Sequence, residues 1–190
     1  LIENNTKIIR MSDVTGICEC TEVKPDYLKE DVEKVLDDAY LSSIRQNIKV
    51  IINWNNRGEN DAFGMALFKF TPQEDWRFFY RSGGKIEFTL FSNGNLKGVS
   101  LELKSLKKQN EKKHIDDLMP KVLEEEFNCT KEPKKFCCEL DKKVEFIDDL
   151  SDIVELCFVV RENQIFDSSK VAWFYICDLT INFKDKKRWE

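Results

Sequence analysis

Apolar and polar residues alternate over long stretches of this chain. Ile86, Phe88 and Leu90 oppose Lys85, Glu87 and Thr89, while Val99, Leu101 and Leu103 oppose Ser100, Glu102 and Lys104. A period of two gives a strand one buried and one wet face, as in an antiparallel sandwich. The same reading predicts strands over 48–54, 62–70, 76–81, 85–91 and 98–103. Turn signals separate them: Asn55-Asn-Arg-Gly58, Thr71-Pro72, Ser82-Gly-Gly84 and Ser92-Asn-Gly-Asn95. Strands resume at 135–140, 144–147, 152–160 and 171–183, the last two rich in β-branched and aromatic residues.

Two segments break the pattern. After Pro25-Asp26, Leu28, Val32, Val35, Leu36, Ala39 and Ile44 recur at helical spacing, which predicts an amphipathic helix over 26–46. Ile115, Leu118, Met119, Val122, Leu123 and Phe127 are also spaced for a helix, with Pro120 among them. Proline is tolerated in a first turn and costly inside a helix, so a short helix starting near Pro120 is expected. The fold class expected is mainly β: an antiparallel β-sandwich or jelly roll with one or two accessory helices. Residues 1–47 would be an N-terminal extension carrying the first helix. Residues 48–190 would be the sandwich, with a helical insertion at about 107–128, the whole forming one compact domain.

Hydrophobic residues at 42% and charged residues at 34% suit a globular domain rather than a disordered one. The net charge of -5 argues against a nucleic-acid partner. The Lys-rich stretch from Lys104 to Lys113 has no interleaved aromatics and reads as a solvated face. No apolar run approaches the roughly 20 residues that span a bilayer, so no membrane role is expected. The chain begins at Leu1 without an initiator Met, which is expected of a processed terminus or, the favoured reading, of a piece of a larger protein whose other domains would be partners. Of the seven cysteines, Cys157 and Cys177 lie in apolar strands, where cysteine behaves as a small hydrophobe. An odd count and the adjacent Cys137 and Cys138 suggest a mostly reduced set, which slightly favours the cytoplasm.

Catalytic signals are weak. His114 is the only histidine and sits in a charged Lys-Lys-His-Ile-Asp-Asp context that offers no triad. Asp148-Asp149, Asp116-Asp117 and Glu124-Glu-Glu126 read as caps or solvated charge rather than an acid–base pair. Cys18, Cys20, Cys137 and Cys138 lack the spacers of a zinc site. The domain is therefore expected not to be an enzyme.

Three segments carry a resemblance: Gly84-Lys-Ile-Glu-Phe-Thr-Leu-Phe-Ser92, Ile147-Asp-Asp-Leu-Ser-Asp-Ile-Val-Glu-Leu-Cys-Phe-Val-Val160 and Trp173-Phe-Tyr-Ile-Cys-Asp-Leu-Thr-Ile181. With Phe136-Cys-Cys-Glu-Leu140 they resemble the galactose-binding-like jelly roll of non-catalytic carbohydrate-binding modules. The resemblance implies a carbohydrate ligand, an accessory role beside a larger protein, and secretion if it serves a polysaccharide-degrading system. It also implies a structural calcium near the closing strand. Asp178 matches the retained Asp of that pattern and Cys177 stands where its first Asp is usual. No other cofactor is implied.

A sugar site needs flat apolar faces for C–H groups and polar side chains for hydroxyls. Trp54, Trp76, Tyr80, Trp173 and Tyr175 could supply the first, and Asn53, Asn55, Glu87, Arg77 and Arg81 the second. Trp54 continues the apolar parity of Ile48, Val50 and Ile52 and is expected to be buried, whereas Trp76 follows Glu74-Asp75 at a loop edge and is expected to be exposed. The alternative reading is a protein-interaction or sensor domain of an intracellular multidomain protein, docking through the helix at 26–46.

Overall fold

The structure, a computed structural model, describes residues 2–3, 5–11, 13–16, 18–23, 46–53, 63–106, 121–166 and 171–183. Among these lie twelve strands, numbered here in chain order: β1 Ile2–Glu3, β2 Thr6–Ile8, β3 Asp13–Gly16, β4 Cys18–Glu22, β5 Asn47–Asn53, β6 Phe63–Glu74, β7 Lys85–Ser92, β8 Gly98–Ser105, β9 Lys121–Asn128, β10 Lys134–Glu139, β11 Ile153–Arg161 and β12 Val171–Asn182. Two short helices, α1 (Arg77–Arg81) and α2 (Leu140–Lys143), accompany them. The strands form two antiparallel sheets, as the alternation predicts. The five-stranded sheet runs β3-β6-β11-β8-β9; the seven-stranded sheet is built around β12. β12 pairs on one side with β7, and on the other with β5 over Val171–Cys177 and with β2 over Thr180–Asn182.

The inward halves of the alternating strands meet as the core. Ile48, Val50 and Ile52 of β5, Ile86, Phe88 and Leu90 of β7, and Phe174 and Ile176 of β12 face Phe68 of β6, Val99, Leu101 and Leu103 of β8, and Phe158 of β11. Phe158 meets Phe88 across the sandwich edge-on, 5.0 Å between ring centroids. Each fully buried side chain of this kind contributes about 1.5–3 kcal/mol. None of the seven cysteines is in a disulfide, and Cys157 and Cys177 are buried in β11 and β12 as expected.

Several elements differ from the sequence reading. Residues 2–22 are not an extension beside the sandwich: β2 pairs with β12, β4 with β5 and β3 with β6. Trp76 to Arg81, expected as a strand, is α1 with its preceding residue, because Trp76 and Phe79 lie three apart and bury on one side of a helical turn. Residues 121–128, expected as a helix, form β9. The buried pair Leu123 and Phe127 is four apart, a spacing that fits a strand face as well as a helix face. Val144–Ile147 is not a strand; the chain passes from α2 into a 3-10 turn, Ile147–Leu150, that buries Leu150. β6 runs on through Pro72, where pairing with β11 is interrupted by a register shift and the missing N–H costs no ladder bond. The expected helix at 26–46 lies outside the described residues but for Gln46, which is not helical, and 107–120 lies outside them too.

Gly84, between α1 and β7, is fixed by contact. A Cβ there would stand 2.5 Å from the Phe79 carbonyl oxygen, a backbone atom that cannot step aside. Gly84→Ala is expected to cost about 1–3 kcal/mol, read as a lower denaturation midpoint at unchanged slope.

Candidate functional site

The outward face of the five-stranded sheet carries a groove. Alternation in β6 and β11 turns Met65, Leu67, Cys157 and Val159 away from the main core, and they form a second buried apolar cluster. On β8 and β9 the same outward positions are charged. Glu102 lies opposite Cys157 on one side and Glu124 on the other, and Lys104 lies opposite Lys121. The resulting cavity, about 670 Å³, has Met65 and Val159 in its floor and Phe63 and Asn163 on its lining. Glu102, Lys104, Lys121, Arg161 and Glu162 supply the charged part of that lining.

Like charges directly opposite across a pair of strands repel. Here each is answered by a neighbour of the other sign. Glu102 is only 2% exposed, and its Oε1 accepts from Arg161 Nη2 at 2.6 Å and lies 3.0 Å from Lys121 Nζ. Lys104 Nζ stands 3.8 Å from both Glu102 and Glu155. At the rim, Glu124 contacts Lys121 at 3.2 Å and Arg161 Nη1 at 4.0 Å. Burial alone would push the Glu102 carboxyl up. The hydrogen bonds from Arg161 and Lys121 outweigh it and hold the group below the usual glutamate value, so it is ionised at neutral pH. Burial would likewise lower Lys121, but Glu102 and Glu124 together raise it.

Gln164 sets the position of Arg161. Its Oε1 accepts the Arg161 backbone N–H at 2.8 Å, and its Nε2 donates to Ser100 Oγ at 2.8 Å and to Glu126 Oε2 at 2.9 Å. One buried amide thus ties the end of β11 to β8 and β9. The groove combines an apolar floor with donors and an acceptor held in place before any ligand arrives. An ionised carboxylate locked between two cations is a hydrogen-bond acceptor, not a proton donor.

The residues singled out from the sequence do not converge here. Trp76 is 0% exposed, contrary to expectation. Its ring packs edge-on against Phe70 and Phe79, and its Nε1–H donates to Glu74 Oε1 at 3.0 Å. Tyr175 is also 0% exposed, stacked on Phe91 at 4.7 Å with 14° between the rings. Neither presents a face to a ligand. Trp173 is half-buried beside Tyr175, with Lys49 Nζ 5.0 Å above its ring. Trp173, Asn53 and Glu87 share the outward side of the seven-stranded sheet, where Asn182 Nδ2 donates to Glu87 Oε2. Tyr80 packs against the core from α1. Arg77 is clamped by Asp75, with Nη2 donating to Oδ2 at 2.7 Å and the backbone N–H to Oδ1 at 3.0 Å. Trp54 and Asn55 lie outside the described residues, as does His114.

Asp178, the residue expected at a calcium site, stands at an irregular point of β12. It occupies a bulge of β12 with φ of 51°; its backbone N–H donates to the Gln46 carbonyl at 2.9 Å and its Oδ1 accepts the Gln46 N–H at 3.3 Å. Calcium takes about six to eight oxygen ligands, drawn from carboxylates, carbonyls and waters. Among the described residues no three His, Cys, Asp or Glu side chains gather as a metal site. Among them, too, no helix is long and apolar enough to cross a membrane.

No protein-family model matches this chain, and no curated protein sequence does. Solved structures do. A family 30 carbohydrate-binding module superposes with a TM-score of 0.53 at 12% identity, over 80% of this chain and 72% of that one. The family 30 module of the cellulosomal cellulase Cel9D-Cel44B of Clostridium thermocellum gives 0.51 at 12% identity, over 73% and 76%. An exo-β-agarase gives 0.53 at 10% identity, over 97% of this chain but 24% of its own. At these identities the likeness is one of fold: the chain has the β-sandwich jelly-roll architecture seen in those modules.

Proposed function

We propose that this domain is a non-catalytic carbohydrate-binding module whose ligand lies in the groove on the outward face of the five-stranded sheet. The observation that carries the reading is the pairing of an apolar floor, Met65 and Val159, with a fixed polar wall around the buried Glu102. The C–H face of a sugar ring would rest on the floor. Its hydroxyls would donate to Glu102 and accept from Arg161 and Lys121. Because those groups are already locked by one another and by Gln164, little side-chain freedom is lost on binding. A general acid needs a raised carboxyl pKa, and Glu102 is displaced the other way, which suits holding a sugar rather than cleaving it. The accessory role rests on precedent: the exo-β-agarase contains a like fold in about a quarter of its chain, and the Clostridium module belongs to a cellulase.

Isothermal titration with a panel of oligosaccharides tests the proposal, using one blocking and one control variant. Asn163→Trp, at an exposed position on the groove lining, is expected to weaken binding by roughly tenfold or more at unchanged melting temperature. Trp173→Ala, on the other sheet, is expected to leave affinity unchanged. The reverse result would move the site to the seven-stranded face. Absence of binding to any saccharide would overturn the function itself.

A further inference from the structure

The groove's charges are layered. Two acids lie beneath: Glu102, and Glu155 behind Lys104, both buried. The cations that a ligand would meet stand above them, with the Lys121 and Arg161 side chains 35% and 39% exposed. Above these again is Glu124, 49% exposed, whose carboxylate touches both Lys121 and Arg161. Glu162 is an exposed acid on the turn after β11. Lys104, Lys121 and Arg161 are thus already matched by Glu102, Glu155 and Glu162, and a ligand oxyanion can enter beside Lys121 and Arg161 only in the place of Glu124.

Resting on the groove reading, we infer that this site selects saccharides bearing an oxyanion, a uronate carboxylate or a sulfate ester, and that Glu124 is the built-in stand-in such a ligand displaces. The geometry supports the exchange. Glu102 grips Arg161 through Nη2, leaving Nη1 with only the loose 4.0 Å contact to Glu124. A ligand carboxylate placed there would take Nη1 and Lys121 Nζ together, in charge-assisted bonds shorter than the one it replaces. The side chain of Glu124 can withdraw because it stands at the rim, half in solvent. Glu102 cannot withdraw, so the two cations keep their position throughout. A neutral sugar has no group able to replace Glu124 at equal charge, so its hydroxyls would share Lys121 and Arg161 with that carboxylate.

Titration of the intact domain with oligogalacturonate, a neutral galacto-oligosaccharide of equal length and a sulfated one tests this. The uronate is expected to bind roughly tenfold tighter than the neutral sugar, with the advantage shrinking as sodium chloride is added. Glu124→Gln is expected to tighten uronate binding by roughly threefold or more and to change the neutral sugar by a smaller factor, since it removes a competitor for charge. Arg161→Gln is expected to abolish the preference. A tight sulfated ligand with a weak uronate would support the oxyanion inference and identify its source as a sulfate ester. Equal binding of charged and neutral sugars would overturn the inference and leave the groove reading in place. An unchanged or weaker affinity in Glu124→Gln would overturn the stand-in role. Failure of all three sugars to bind would overturn both readings.

Discussion

Truncation of Trp76 to alanine is expected to destabilise the fold by about 3–5 kcal/mol and to leave saccharide binding unchanged. The indole is fully buried where β6 gives way to α1, with ring centroids 5.3 Å from Phe70 and 5.9 Å from Phe79. Removing it opens a cavity that those two rings, held by their own neighbours, cannot collapse to fill. It also strips Glu74 of one donor. That carboxylate would still accept from Lys7 Nζ, 2.6 Å away on β2, so the loss is mostly one of packing. Urea denaturation followed by tryptophan-independent far-UV dichroism is the measurement. A loss below about 1 kcal/mol, the usual size at a surface site, would show the ring to be exposed after all.

Glu102→Gln is expected to cost about 2–3 kcal/mol at neutral pH, the range for hydrogen bonds to charged groups when one charge is removed. The amide keeps the shape but leaves Arg161 and Lys121 crowded together over a buried neutral group. The effect has a pH signature. The Glu102 carboxyl is held below the ordinary value of 4.5, so its stabilisation is full above that value and lost as pH falls through its own lower pKa. Stability curves of the wild type and Glu102→Gln should therefore stand apart at neutral pH and converge in acid. A gap that stays constant well below the ordinary carboxylate range would mean that the ionised carboxylate is not its source.

The sandwich was legible because apolar and polar residues alternate along its main strands, although the face of β8 expected to be wet is itself largely buried. β7 and β8 carry the pattern without a break, and β12 is marked by β-branched and aromatic residues. What misled was spacing common to both periods. Leu123 and Phe127, four apart, serve either element, and pairing with β8 decides for the strand. The aromatic run from Trp76 to Tyr80 has strand propensity, yet three-residue spacing and the meeting of α1 with the 3-10 turn at Leu150 bury it as a helix. β1 to β4 are two to five residues long, too short to show a period at all. The groove was hidden for a different reason. Glu102 and Arg161 are 59 residues apart, and only the order β11-β8-β9 makes them neighbours. Glu102 and Lys104 were visible as the wet half of an alternating strand, but a wet face and a binding face have the same pattern. Rings such as Tyr175 were visible as candidates, while their burial depends on Phe91, supplied by the neighbouring strand.

The position of β12 bears on how the chain comes together during synthesis. It is the last strand described to emerge from the ribosome, and it stands between β7 and the β5–β2 pair. Until residue 182 is out, β5 and β7 each have an open edge and no common neighbour. The five-stranded sheet, complete once β11 has emerged, is meanwhile left with its apolar inner face uncovered. Such a half-built sandwich exposes the unpaired edges that recruit other chains. A chain cut just before Val171 should therefore bind holdase chaperones and be cleaved readily by protease, and extension by the twelve residues of β12 should end both.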